Sequence, residues 1–487
     1  MKKLFVLLAL VLFAPIFFMP FYTDANVFVY MGRLLVSGYV PYVDGWDHKG
    51  VSLYLINAIG YGIGLKSIIG IKIIEMLLIL YTFMRVFNFL KKEYSLLIAV
   101  IAGSFGLFTL KYFFDGGNMT EEYGALFSLL SLLLLLKKQV RTIDYALIGA
   151  FFVLNFTLRA NLIAFWVALF CVYLVQLILK KESFKDVLMK FVKMGYGAVT
   201  IVLILGIYLL STNSLHEFID AAFTFNFSYS GTGKSSAIST ILASVKKYHL
   251  GVIFIAGFIV AILRFLKDKN RKLELFLIFW IPIELYFGNI SDRLYAHYYM
   301  MWVPLVIFST AIIISEVRER IQMSNLLVVI VAGVVFVGSF YVPTYMTLKN
   351  WEWILLKSGN QSENVATHIS DNYKDDTLLV WGNSSEIYNQ TNKFSPTVFF
   401  YHSTFKYDTE FIRKKIEEFN QQVVEKKPAL ILDTKRNGMI HLDGANASEI
   451  DEGQKRNLKE FLRIIKADYV LKEQKFGFDF YVLKENE

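Results

Sequence analysis

Long apolar runs alternate with short polar connections over the first two thirds of the chain. Runs of roughly spanning length fall at 3–21, 67–90, 94–111, 123–136, 143–158, 161–179, 191–211, 250–266, 273–288, 297–314 and 325–345. They predict a polytopic α-helical membrane protein of about eleven transmembrane helices, some short enough to tilt or re-enter. Lys2 and Lys3, Lys91 and Lys92, Lys137, Lys138 and Arg141, Lys180 and Lys181, Lys267 to Lys272, and Arg318 and Arg320 fall on alternate connections. Basic residues mark the cytoplasmic side. The N-terminus is therefore expected inside. Segments 22–66, 112–122, the turn at Arg159, 212–249, 289–296 and the C-terminal tail are expected outside.

Two weaker helical patterns lie in the first outer segment. Val27, Tyr30, Met31, Leu34 and Leu35 share one face, as do Val51, Tyr54, Leu55, Ala58 and Ile59. Both stretches are too short and polar to cross a bilayer, so interfacial helices near 24–38 and 50–64 are predicted. The predicted organisation is a membrane domain over 1–346 and an extracytoplasmic soluble α/β domain over 347–487. In that tail Thr377–Trp381 and Ala429–Asp433 read as strands, and Glu410–Gln422 and Glu449–Ile465 as helices. Ala467–Gln474 and Phe476–Leu483 read as a strand pair turning at Gly477.

Composition agrees: 55% of the residues are hydrophobic and 19% charged, far more apolar than a soluble domain. The net charge of +9 is spread over short turns rather than gathered on a folded basic face, which argues against nucleic acid. A single cysteine, Cys171, excludes an internal disulfide and a thiolate metal cluster. The apolar opening has no small-x-small cleavage site and reads as an uncleaved first span. The GTGKSS run at 231–236 lacks the first glycine of a phosphate loop, since position 228 is Ser228, and reads as a flexible Gly/Ser loop.

Ionisable residues concentrate in the outer segments, where holding charge near hydrocarbon is costly unless the group works or pairs. Asp24 precedes an amphipathic helix and can serve it as a cap; it also suits a general base accepting a hydroxyl proton. Asp44, Asp47, His48 and Lys49 crowd the loop before the second short helix, and Lys49 at membrane level suits a lipid phosphate. Asp115, Asn118, Glu121 and Glu122 lie in the next outer loop, as substrate contacts, a second acid, or partners of a helix dipole. Arg159 stands between two apolar runs and requires a partner, either a phosphate or an outer-loop carboxylate. Arg293 and His297, at helical spacing and followed by Tyr298 and Tyr299, suit a phosphate clamp.

With these residues in place the chain resembles the GT-C superfamily of integral-membrane glycosyltransferases. It is most similar to the branch of protein O-mannosyltransferases and aminoarabinose transferases. The resemblance rests on Asp24 after the first span, GRLLVSGYVPYVDGWDHKG (Gly32–Gly50), VSLYLINAIGYGIG (Val51–Gly64), GGNMTEEY (Gly116–Tyr123) and RLYAHYYMMWVP (Arg293–Pro304). It implies inverting transfer of a sugar from a polyprenyl-phosphate carrier to an acceptor at the outer membrane face. Asp24 then corresponds to the loop acid, with Lys49, Arg159 and Arg293 on the carrier phosphate; His297 is grouped with them. Asp44, Asp47, His48, Asp115, Asn118, Glu121, Glu122 and Tyr298 fall to substrate binding. Many members follow the acid with Glu, whereas Ala25 stands here, so a divalent metal is unsupported and no metal ligand is assigned. The implied partners are a polyprenyl-phosphate sugar donor, a glycan, lipid or protein acceptor and membrane lipid, at a bacterial plasma membrane. The rival readings are a flippase for lipid-linked glycans, which wants deep polar groups or broken paired helices, and a diphosphate-oligosaccharide polymerase or ligase.

Overall fold

The computed structural model describes residues 1–230, 237–322, 324–356 and 361–484, so the GTGKSS run at 231–236 lies outside the described residues. The chain separates into two compact units: Met1–Pro20, Ile71–Tyr208 and Gly233–Leu356, and Phe21–Gly70, Leu209–Thr232 and Lys357–Glu487.

The first unit is helical. Among the described residues four helices are long and apolar enough to cross a membrane: Ile69–Glu93, Leu96–Phe113, Phe184–Ser211 and Ala296–Ile321. The count rises to six if two bent pairs each make one span. These are Ala237–Tyr248 with Gly251–Lys267, bent by 109°, and Asn325–Gly338 with Phe340–Glu352, bent by 73°. Thr142–Leu158 and Ala164–Ile178 are apolar but shorter. The first run is divided, because Pro15 ends the helix Lys2–Phe13 in a 3₁₀ turn, Ala14–Phe17.

The second unit joins Phe21–Gly70 to the C-terminal tail. Its sheet has the order β1-β2-β4-β3, with β1 Leu378–Trp381, β2 Leu430–Asp433, β3 Tyr469–Lys475 and β4 Phe478–Leu483. β1 and β2 are parallel; β4 runs antiparallel to both β2 and β3. Phe476 and Gly477 turn the terminal hairpin with φ of 56° and 79°, as a two-residue primed turn requires. Helices Glu410–Lys426 and Glu452–Asp468 flank the strands, close to the positions read from periodicity.

The helix Thr23–Val36 departs from a one-faced pattern, because every residue from Ala25 to Leu34 is buried. Its apparently polar positions are consumed by the tail. The Arg33 guanidinium, only 2% exposed, donates to the Tyr388 carbonyl and to the side-chain oxygens of Asn389 and Asn392, each at 2.9 Å. Asn389 Nδ2 donates to the Asn26 carbonyl at 2.9 Å, and Tyr30 stacks on Phe400 with ring centroids 3.8 Å apart. A helix apolar on one side only became all-round buried because the tail supplies hydrogen-bond partners for the other side.

His402 gives this unit a pH signature. Its ring is fully buried among Trp381, Phe405 and Phe419, and its Nδ1 accepts from the Gly382 N–H at 3.3 Å. Burial pushes its pKa down to about 3, so the folded imidazole is neutral. Its folded-state pKa lies below the unfolded value, so its stability contribution is complete above about pH 6.5 and declines on acidification, by about 1.4 kcal/mol per pH unit. Denaturant unfolding at pH 6.5 and 5 is expected to show that slope, and His402→Gln is expected to flatten it.

Candidate functional site

In the second unit the segment from Thr23 to Lys49 is a helix, Thr23–Val36, followed by a loop. Tyr22 occupies the cap position of the helix Thr23–Val36, so Asp24 lies within the first turn and does not cap it. Asp24 is exposed, and its carboxylate makes no hydrogen bond or ion pair among the described residues. Thr23 beside it accepts from Arg436 Nη2 at 3.0 Å, after β2. The negative charge of Asp24 adds to the upward shift of the Tyr401 pKa and partly opposes the downward shift of the His48 pKa.

Asp44 has a local task. Its Oδ2 accepts from the Val40 N–H at 2.6 Å and closes the turn that carries Tyr42 at φ 72°. Asp47 is buried and takes Tyr54 Oη–H at 2.7 Å on Oδ2 and Tyr401 Oη–H at 2.5 Å on Oδ1. His48 Nδ1 lies 3.3 Å from Asp47 Oδ1 and 3.1 Å from Tyr401 Oη. Burial works to raise the Asp47 pKa, but His48 and the two phenols outweigh it and hold the carboxyl well below its usual range. Burial and the Lys49 ammonium lower the His48 pKa more than Asp47 and Asp24 raise it, so the imidazole is neutral at pH 7. The Lys49 carbonyl accepts from Tyr42 Oη–H at 2.8 Å and lies 3.1 Å from Tyr54 Oη, which anchors the backbone bearing its ammonium.

In the first unit the DGGN loop takes left-handed conformations at four consecutive residues, with φ of 46°, 86°, 89° and 59° from Asp115 to Asn118. The Asn118 N–H donates to Glu75 Oε1 at 2.5 Å and Glu122 Oε2 at 3.1 Å, both carboxylates being buried. Tyr123 donates to Asn118 Oδ1 at 3.1 Å. This anchoring leaves Asp115 exposed, its Oδ2 3.0 Å from His297 Nδ1. A Cβ on Gly117 would run into the Glu75 carboxylate and the Phe114 ring. Gly117→Ala is therefore expected to destabilise the fold by about 2 kcal/mol, read as a lower melting temperature.

Of the two partners open to Arg159, the structure places a carboxylate there. Arg159 pairs with Glu121, whose other oxygen accepts from Thr120 Oγ1 at 2.7 Å, and its guanidinium lies 4.0 Å from the Tyr298 ring centroid. The three border a narrow cavity closed by Asn161, Glu284 and Met301. The helical spacing assigned to Arg293 and His297 does not hold. Asp292 is left-handed at φ 53°, Tyr295 is extended, and the 3₁₀ helix Ala296–Trp302 begins after Arg293. His297 meets Asp115 instead. No group of three or more His, Cys, Asp or Glu side chains is placed to hold a metal among the described residues.

Sequence reading missed Glu75, Tyr54 and Tyr401. Lys72 and Glu75 carried a signal, as charged residues within a long apolar run. Tyr401 carried none: it reaches Asp47 across 354 positions of sequence.

The fold has counterparts among solved structures. ArnT from Cupriavidus metallidurans, bound to undecaprenyl phosphate, superposes with a TM-score of 0.65 at 11% identity, over 98% of this chain and 97% of that one. An Archaeoglobus fulgidus oligosaccharyltransferase complexed with Zn and sulfate gives a TM-score of 0.51 at 12% identity, over 89% of this chain and 67% of that one. The archaeal oligosaccharyltransferase AglB from Archaeoglobus fulgidus, with an inhibitory peptide and a dolichol-phosphate, gives 0.50 at 10% identity, over 100% and 74%. No protein-family model matches the chain, and no curated protein matches it in sequence. The chain shares the fold of the ArnT structure, which it matches over nearly the whole length of both chains.

Proposed function

We propose that this protein is a membrane glycosyltransferase that moves a sugar from a polyprenyl-phosphate donor to a hydroxyl of a cell-envelope acceptor. The observation that carries this reading is Asp24, an exposed carboxylate without a structural task at the start of a helix immobilised by the α/β tail. Support comes from the ArnT structure of the same fold, which is bound to undecaprenyl phosphate.

In the proposed reaction the acceptor oxygen attacks the anomeric carbon as the bond from that carbon to the phosphate oxygen breaks. Asp24 takes the hydroxyl proton, and polyprenyl phosphate departs with inversion at the sugar. Lys49, on its anchored backbone, is assigned to the negative charge growing on that phosphate. Arg159, Arg293 and His297 are assigned to the binding of a lipid phosphate, and Asp115 holds His297 in orientation. Asp47, His48, Asn118, Glu121, Glu122 and Tyr298 are assigned to substrate contacts or their support, and Asp44 to the loop that bears them.

The proposed setting is a bacterial plasma membrane, with about eleven crossings, the N-terminus inside and the reacting groups outside. The test is transfer of labelled sugar from polyprenyl-phosphate donors by purified protein. Flipping of a lipid-linked glycan without transfer, or transfer from diphosphate donors alone, would replace this reading by one of its rivals.

A further inference from the structure

The hydrogen atoms around His48 can be assigned by elimination. Tyr401 has one Oη–H, and at 2.5 Å from Asp47 Oδ1 that proton is committed to the carboxylate. The phenol oxygen is then only an acceptor toward His48 Nδ1, 3.1 Å away, and Asp47 Oδ1 at 3.3 Å is likewise an acceptor. Nδ1 must therefore carry a hydrogen. In a neutral imidazole the lone pair then lies on Nε2, which has no hydrogen-bond partner among the described residues. The ring is held in place from other sides too. Phe225 packs edge-on with its centroid 5.1 Å away, and Asn226 Nδ2 donates to the His48 carbonyl at 2.9 Å. The side chain is still 21% exposed.

We propose that His48 meets the substrate as a hydrogen-bond acceptor. Asp47 and Tyr401 act as positioning residues that hold the imidazole in the Nδ1–H form, and Nε2 takes the hydrogen bond of a substrate hydroxyl. This deepens the transferase reading and rests on it. It also gives the tail a task, since Tyr401, which follows β1 in the chain, reaches back to the loop that carries Asp47 and His48. The titratable and charged groups acting on His48 are Asp47, Tyr401, Lys49 and Asp24, with Tyr54 on the far side of Asp47.

The test uses the full-length protein in nanodiscs with ¹⁵N-labelled histidine. The seven histidines are resolved by comparison with His48→Gln. Wild type is expected to show the Nδ1–H tautomer at position 48. Asp47→Asn removes the carboxylate charge that favours a hydrogen on Nδ1 and is expected to shift the ring toward Nε2–H. It should lower kcat by about tenfold, the value of one lost hydrogen bond, with KM for the donor unchanged. Tyr401→Phe retains the carboxylate and is expected to cost less, which guards against a general folding defect in Asp47→Asn. An Nε2–H signal in wild type overturns the proposal, as does wild-type kcat in an Asp47→Asn protein whose tautomer has switched. Failure of the transferase reading looks different: no sugar moves from any polyprenyl-phosphate donor, while the nitrogen signal still reports the ring.

Discussion

Replacing Asp24 with asparagine is expected to lower sugar transfer by about 10²- to 10⁴-fold, the range for loss of a positioned general base. Binding of undecaprenyl phosphate should be unaffected. The substitution conserves shape and removes only the charge and the basic oxygen. Because Asp24 is exposed and unpaired among the described residues, no buried partner is stranded by the change. The competing explanation is helical: a carboxylate in the first turn complements the helix dipole, which contributes about 0.3–1 kcal/mol. That role predicts a small fall in melting temperature and nearly full activity. The transferase reading predicts the reverse. Asp24→Glu adds a second check, since it keeps the charge at the helix start but moves the base by a methylene. It should melt as wild type does and still transfer sugar slowly.

Much of this arrangement was legible locally. Periodicity placed the helices that begin at Thr23 and Val51, and short apolar runs placed β1 and β2 within a residue. Gly477 marked the terminal hairpin because a left-handed turn residue leaves a trace in the sequence. Contacts across long separations left no such trace. Arg33 lies off the apolar face of its helix, and it is buried because Tyr388, Asn389 and Asn392 supply its acceptors. Arg293 and His297 stand at helical spacing in the sequence, and the extended backbone at Tyr295 between them removed that relation. The Arg159 case lay between these: the cost of burying a cation required a partner, and chemistry alone left two kinds open.

Glu121→Gln separates the two uses of Arg159. The guanidinium is largely enclosed, with Glu121 at one end and the Tyr298 ring against its face. Removing the carboxylate charge leaves a cation in a poorly solvated place, and breaking a buried pair in this way costs about 3–5 kcal/mol. Thermal unfolding in detergent should show that loss. Replacing both members by apolar residues of similar volume, Glu121→Leu with Arg159→Met, should restore most of it, because neither charge is then stranded. If Arg159 also holds a donor phosphate, undecaprenyl phosphate should stabilise Glu121→Gln more than it stabilises wild type, since the lipid anion replaces the missing carboxylate. The double variant should gain least. Equal stabilisation of all three proteins by the lipid would confine Arg159 to a structural pair and remove it from the phosphate site.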